Sequence, residues 1–433
     1  MKLWLKYLLG IIIGLIAAFL LPVNSTQGSE VLDFILEIVI RFGRYMLLPL
    51  LFFSIICACY RLREDKKILK TGVWTFSVII ISSLMLVALG LASGLMVKLP
   101  RIPISPIAVG KNAEIDTLDI KNLIRALFPY SGFEALIQGA YLLPVFIFAG
   151  LAGAGAVNEK NFARPAITLF DSLSRLCYHI MSFFTEVLSV GMIAIMFKWT
   201  VDFIAVQDLK VFLPLFILLV ADFVIMAFVV YPLLTSIICH ERHPWRILYA
   251  SICPLFVAFF SGDTNLTLPV SMRHSHESLG IHRRSNAATH PLFAIFGRGG
   301  AALVVTVCFI QILRSYSRGD INTETAFWIA GFAFLISFAL ADRPSGGPFF
   351  ALTLMCMAYG PNFEAGYHLL KGTAPILCAF AAGFDTISAM FGTYIVAVKT
   401  KNIQPQELKK YIYGNPSSNH TLILARLERS CHF

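Results

Sequence analysis

Long apolar runs, each near the length a helix needs to cross a bilayer, constrain this chain more than any other feature. They lie at 3–22, 31–60, 71–97, 133–157, 165–197, 210–239, 287–313 and 366–398, where one spanning helix needs about 20 residues. In hydrocarbon every backbone amide must be bonded within the protein, so only helices or a closed barrel can cross. A barrel strand alternates apolar and polar residues, and these runs do not. Charged residues make up 14% of the 433 and apolar ones 57%, against about 25% and about 45–50% in soluble domains. Soluble, disordered, collagen-like and disulfide-scaffold chains are thereby excluded. The reading is an all-α polytopic membrane protein.

The first run follows lysines, as a signal peptide does, but its length and the similar runs after it favour an uncleaved span. The net charge of +10 marks cytoplasmic loops of a membrane protein and implies no nucleic-acid partner. Lys2 and Lys6 precede the first run, 23–30 holds no Lys or Arg, and Arg61, Arg63, Lys66, Lys67 and Lys70 follow the second. The tail carries Lys399, Lys401, Lys409 and Lys410. Both termini are therefore expected in the cytoplasm of a cell (inner or plasma) membrane, with an even number of crossings. The region 98–130 holds five basic residues on the expected outer side, in a stretch long enough for the charge rule to weaken. Eight of the nine cysteines lie in or beside apolar segments without a CxxC pair, as small buried hydrophobes do.

Two further segments are apolar but interrupted. The stretch 245–280 turns polar at Ser261-Gly262-Asp263-Thr264-Asn265, and 324–360 breaks at Asp342-Arg343-Pro344-Ser345-Gly346-Gly347-Pro348. Each is followed by a full span, suggesting an internal repeat of 245–313 and 324–398. Paired, polar-interrupted segments point to a transporter's midplane site. Non-helical backbone there must be buried in protein or line a watery cavity. Free amides at half-helix starts attract anions, and free carbonyls attract cations.

Several local sequences carry a resemblance. Leu48-Pro49-Leu50-Leu51-Phe52-Phe53-Ser54 is one, and Phe133-Glu134-Ala135-Leu136 with Leu143-Pro144-Val145-Phe146-Ile147-Phe148-Ala149 is a second. Thr267-Leu268-Pro269-Val270-Ser271-Met272-Arg273, just after the first interruption, is a third. In order and spacing the chain resembles the dicarboxylate/amino-acid:cation symporter family, the glutamate-transporter fold, over about 1–400. The resemblance implies eight transmembrane helices plus two re-entrant helical hairpins, a homotrimer, and an elevator-like motion of a transport part against a scaffold. It assigns 1–70 to scaffold helices 1–2, 71–114 to the third span and a loop, and 115–240 to scaffold helices 4–6. The transport part would be 241–398 with hairpin 1, helix 7, hairpin 2 and helix 8, and 399–433 a cytoplasmic tail.

The departures from the family pattern bear on coupling. Where its seventh span reads NMDGT, this chain has Gly297-Arg298-Gly299-Gly300-Ala301, without the sodium-binding Asn and Asp. In the eighth span Asp385 and Thr393 match, while Ala389, Gly392, Val396 and Thr400 replace an Asp, an Arg, an Asn and an Asp. The missing Arg would hold an acidic substrate side chain, and the missing second Asp an amino group. Ser82 and Ser83 keep hydroxyls in the third span, but Ile79 replaces a Tyr expected beside sodium. Sodium coupling and a glutamate or aspartate substrate are therefore not expected. The expected function is secondary active transport of a small organic anion or polar metabolite, by proton coupling, exchange or facilitated diffusion. Sodium-driven dicarboxylate or amino-acid symport is the alternative.

Each site residue carries two readings. Arg298, which costs at least ~2.5–3.5 kcal/mol amid apolar helix, replaces a bound cation or holds a substrate carboxylate, or else pairs structurally with Asp263 or Asp385. Asp263 carries a proton or balances Arg298, or caps the returning helix. Asp385 is a proton-coupling acid or the partner of a nearby base. Together these three form the expected coupling set. Thr264 and Asn265 complete the first tip. Arg343 anchors substrate or is a solvated hairpin charge, while Ser345, Gly346 and Gly347 let backbone approach a ligand or form an ordinary turn. Thr393 offers a hydroxyl to substrate or bonds back to its own helix. His290 relays protons or is a satisfied core histidine. His274, His276 and His282 read as a cytoplasmic loop more than as a metal site, and no cofactor is implied. A channel or sensor, betrayed by currents far above carrier turnover, is a rival class. Intramembrane aspartyl proteolysis by Asp263 and Asp385 is another, to be tested by peptide cleavage. No P-loop or HExxH motif supports ATP-driven or zincin chemistry.

Overall fold

The apolar run at the start forms α1 (Leu3–Leu20). The next breaks at Tyr45-Met46 into α2 (Thr26–Arg44) and α3 (Leu47–Glu64), with Pro49 in the first turn of α3, where its missing amide costs nothing. Then come α4 (Ile68–Met96), α5 (Leu143–Gly155) and α6 (Lys160–Ile204). The 45 residues of α6 extend ~68 Å at 1.5 Å per residue, beyond a hydrocarbon core of ~30 Å. Its charged first third, with Lys160, Arg164, Asp171 and Arg175, is the part suited to lie outside. α7 (Leu209–Val224) runs through a wide turn at Ile225–Val230 into α8 (Tyr231–Cys239). Pro232 supplies the cause, since it removes a helical hydrogen bond and crowds the preceding turn.

This computed structural model describes residues 2–20, 26–102, 141–206, 209–316, 321–360 and 366–404, with Glu134 and Leu136 besides. Most of the basic loop at 98–130, Phe133 and Ala135 of the fourth-span motif, and the tail from residue 405 lie outside the described residues. Among those described, the chain is helical, with an isolated antiparallel bridge between Ile281 and Ile403. Seven helical stretches among the described residues are long and apolar enough to cross a membrane. Of the remaining expected span, 133–157, Leu143–Gly155 forms α5.

Both interrupted segments form helical hairpins. The first pairs α9 (Trp245–Ser261) with α10 (Thr264–Glu277), and the second pairs α13 (Thr323–Ala339) with α14 (Gly347–Tyr359). Between them, α11 (Arg283–Phe296) and α12 (Gly299–Tyr316) are one span broken at Gly297-Arg298. After a tight turn at Gly366–Thr373, α15 (Ala374–Lys399) closes the bundle. His274 and His276 lie on α10, with His274 buried. The loop reading of these histidines is thus corrected, because the α10 pattern continues to Glu277 before the chain turns.

Nearly every residue of α12 and α15 is buried, which puts these two apolar helices at the centre of the bundle. One core joins them to α4, α7, α8 and α14 through residues such as Leu86, Leu219, Tyr231, Phe309, Leu352 and Phe391. Residues of 209–239, among them Leu219 and Tyr231, belong to the same core. A second core gathers α3 and α5 against Leu268, Met272, Ala287 and Ile295 of α10 and α11.

Small residues set the closest crossings, as they do where lipid gives helices no hydrophobic reason to associate. A Cβ on Gly14 of α1 would meet the Ile193 carbonyl of α6 at 2.5 Å, and one on Gly10 would meet that of Ser189 at 2.4 Å. Gly14→Val should therefore force α1 off α6 and lower stability by ~1–3 kcal/mol. Thermal unfolding of the purified protein in detergent checks this, and an unchanged midpoint would show that the crossing is not tight.

Candidate functional site

The site begins with a local choice at each tip. Gly262 takes the left-handed conformation (φ +62°) that ends α9, and glycine does so without a Cβ penalty. Asp263 then caps α10, its Oδ1 accepting from the amides of Asn265 at 2.9 Å and Leu266 at 3.1 Å. Its Oδ2 pairs with the guanidinium of Arg44 at the end of α2. The expected cap and an ion pair thus coexist, but the partner is Arg44 and not Arg298. At the second tip Gly346 is also left-handed (φ +73°) and starts α14.

The two tips touch. The Pro344 carbonyl accepts from the Thr264 amide at 3.2 Å and from its hydroxyl at 3.3 Å. Arg298, 3% exposed, reaches into this junction from the break between α11 and α12. Its Nη1 donates to Thr264 Oγ1 at 2.7 Å and lies 3.5 Å from Asp385 Oδ2, while Nη2 donates to the Arg343 carbonyl. Its Nε is buried without a partner among the described residues. Asp385 on α15 turns its other oxygen to the Gly300 amide at 2.7 Å, so it also caps the positive start of α12. That contact needs glycine, because a Cβ at 300 would meet Phe384 Cβ at 2.3 Å and the Ala381 carbonyl at 2.7 Å. Arg298 therefore holds both tips and α15 together.

The other expected residues fall around this cluster. Arg343 contributes its carbonyl to Arg298, and its guanidinium lies over the Phe350 ring, 3.7 Å from the centroid. Gly347 packs beside the Arg298 guanidinium, and Asn265 is buried in the first turn of α10. Ser345 and Gly346 face away, onto a cavity of ≈ 380 Å³ shared with Gly262, Lys198 and Trp199. Thr393 is separated from the cluster by two turns, about 12 Å along α15 from Asp385; its buried hydroxyl has no partner among the described residues. Below the tips, a cavity of ≈ 20 Å³ is lined by Thr264, Ser271, His290, Asp385 and Thr386, room for about one water. His290 Nε2 meets Ser275 Oγ at 2.7 Å. Ser82 joins Ser388 and Tyr231 in a hydroxyl cluster, both contacts at 2.7 Å.

A sequence profile of the sodium:dicarboxylate symporter family matches residues 3–399. The chain belongs to this family. The serine/threonine transporter SstT of Enterococcus faecalis is 22% identical over 361 residues, covering 82% of this chain and 81% of the relative. The SstT protein of Lacticaseibacillus casei is 24% identical over 70% of this chain and 67% of its own length. The human neutral amino acid transporter A is 24% identical over 49% of this chain and 40% of its own length. The chain is thus a multi-pass membrane transporter acting on a small molecule, and not an enzyme.

Against the family's sodium ligands, the residues present fit poorly. Gly299 packs so closely that a Cβ would meet Ser83 Cα at 2.7 Å, leaving no room for the family's Asp. Ile79 is fully buried with Leu292 and Phe293, apolar where the family has Tyr. Gly392 gives its space to the Phe293 ring, which a Cβ would meet at 2.2 Å. Sequence reasoning missed Arg44, Lys198, Trp199 and Thr386. For Arg44 a signal existed, a second arginine three residues after Arg41, just ahead of the apolar run that starts at Met46.

Removing one member of a buried ion pair leaves an uncompensated charge, at a cost of ~3–5 kcal/mol. Asp385→Asn should lower the thermal midpoint sharply, and adding Arg298→Met should restore much of the loss. A double variant no more stable than Asp385→Asn would mean the two side chains are not coupled.

Proposed function

We propose that the chain is a secondary active transporter of a small organic anion or polar metabolite in which Arg298 stands in for a bound sodium ion. The observation that carries this is the Arg298 guanidinium, held between both hairpin tips and the Asp385 carboxylate. A sodium ion ~4 Å from that fixed charge would be disfavoured by ~4 kcal/mol at an effective dielectric of about 20, nearly a thousandfold in affinity. Asp385 neutralises Arg298, so that carboxylate is not free to attract a cation. The unpartnered Nε of Arg298 supports its use as an anchor for a substrate carboxylate once the tips part. Asp263 and Asp385 are the acids available for proton coupling.

In this reading α4 and 241–398 move with 209–239, which shares their core, and α1, α2, α3, α5 and α6 stay fixed in an elevator-like motion. The Arg44–Asp263 pair then joins a fixed helix to a moving tip and breaks during transport. A homotrimer in the plasma or inner membrane with both termini cytoplasmic completes the proposal. A second reading, sodium-driven symport of a neutral amino acid, is favoured by the names of the relatives. The Phe293 ring beside Gly392 agrees with it in one respect, since nothing there would hold an acidic side chain.

Uptake by the purified protein in liposomes decides between them, with sodium and proton gradients imposed separately on a panel of carboxylates and neutral amino acids. The expected result is uptake without sodium, lost in Arg298→Met/Asp385→Asn, whose neutral pair spares the fold. Sodium-dependent uptake that survives in this double variant would overturn the proposal.

A further inference from the structure

Far from the tips, α3, α6 and α11 enclose a cavity of ≈ 70 Å³. It lies at the end of the bundle that carries the basic 61–70 turn. Arg61 lines it from α3, Asp171 and Arg175 from α6, and Arg283 and Arg284 from α11. Three helices thus converge four guanidiniums on one small space.

Their partners do not balance them. Asp171 is shared, 3.1 Å from Arg61 and 2.9 Å from Arg175. Arg284 pairs with Asp65 at 2.5 Å. Arg283 has no carboxylate in ion-pair range among the described residues. Its Nη2 donates to the Ser174 carbonyl at 3.3 Å, and the guanidinium lies over the Tyr178 ring, 4.9 Å from the centroid. Two carboxylates against four guanidiniums leave two positive charges around the cavity. The hydroxyls of Ser54 and Ser174, 2.8 Å apart, add donors to the same wall.

One water needs roughly 10–15 Å³ of such space, so the cavity holds more than a single water. Guanidinium forks bind phosphate oxygens in pairs, with geometry a lysine cannot match. Basic pockets between helices at the cytoplasmic face also meet the headgroups of acidic lipids, and the charge asymmetry assigns this end to that face.

We propose that this cavity is a phosphate-group site, filled by an acidic phospholipid headgroup or by free phosphate, with Arg61, Arg175 and Arg283 as its ligands. The bound group would compensate the repulsion among the arginines and tie α11 to α3 and α6. The binding claim stands on its own. Its consequence for transport rests on the elevator reading above, because the site then bridges a moving helix and two fixed ones, and occupancy slows uptake.

The test reads thermal unfolding of the full chain and not transport, so its failure is distinct from failure of the transport reading. In detergent, sodium phosphate is titrated against sodium chloride at matched ionic strength. In lipid nanodiscs, phosphatidylcholine alone is compared with phosphatidylcholine containing phosphatidic acid. The midpoint is expected to rise with at least one of them, since a ligand that binds only the folded state stabilises it. A rise with phosphatidic acid alone identifies a lipid headgroup, and a rise with inorganic phosphate as well identifies a site open to the free ion. Arg283→Gln should weaken binding roughly fivefold, and Asp171→Asn, which removes the competing carboxylate, should tighten it. No rise with either phosphate source would overturn the proposal. So would an equal rise in Arg283→Gln, or, where that variant does not fold, unchanged or weaker binding in Asp171→Asn.

Discussion

The buried pair of Arg298 and Asp385 is the contact on which the centre of this protein depends. An arginine in the middle of an apolar bundle is stable only if its donors and its charge are met. Asp385 meets the charge, and Thr264 and the Arg343 carbonyl meet the two Nη groups, while Nε has no partner among the described residues. Because these partners sit on α15, α10 and the second tip, satisfying one side chain draws three elements to the break between α11 and α12. The same carboxylate caps α12 through Gly300, so the break in the span is stabilised by the group that neutralises the arginine.

That arrangement explains why losing the family's cation-binding acids need not unravel the fold. A helix broken in the membrane leaves amides and carbonyls without partners, and water is not available to take them. At this break the fixed Arg298 guanidinium serves the Arg343 carbonyl. Packing has followed suit, with glycine at 299, isoleucine at 79 and the Phe293 ring beside Gly392 filling or closing the spaces where larger polar side chains stand in the family.

Much of this was legible in the residues. Apolar runs of bilayer length left only helix as a solution, and the interruptions at Gly262-Asp263 and Ser345-Gly346 marked the two tips. Arg298 and Asp385 stood out because charge is rare in such segments and expensive there. Partnership was harder to read. Asp263 was as eligible as Asp385 to neutralise Arg298, and it instead meets Arg44, more than two hundred residues earlier. Arg343 was singled out for its charge, whereas it is its carbonyl that Arg298 uses. Backbone groups carry no sequence label, so a role of that kind cannot be inferred from residue type.

The sequence by itself determined the solvent, the helices and the short list of charges that had to find partners, because each follows from transfer energies and backbone bonding within a local stretch. It also carried the family resemblance and the departures that argue against sodium. The tertiary structure alone decided who meets whom. It brought Arg298 to Asp385 and Asp263 to Arg44, set Thr393 apart from the cluster, and gathered four arginines around one cavity. The reason is geometric: pairing in a buried cluster depends on helix rotation and depth, and these are set by close crossings such as Gly300 against Phe384 that link residues distant in the chain.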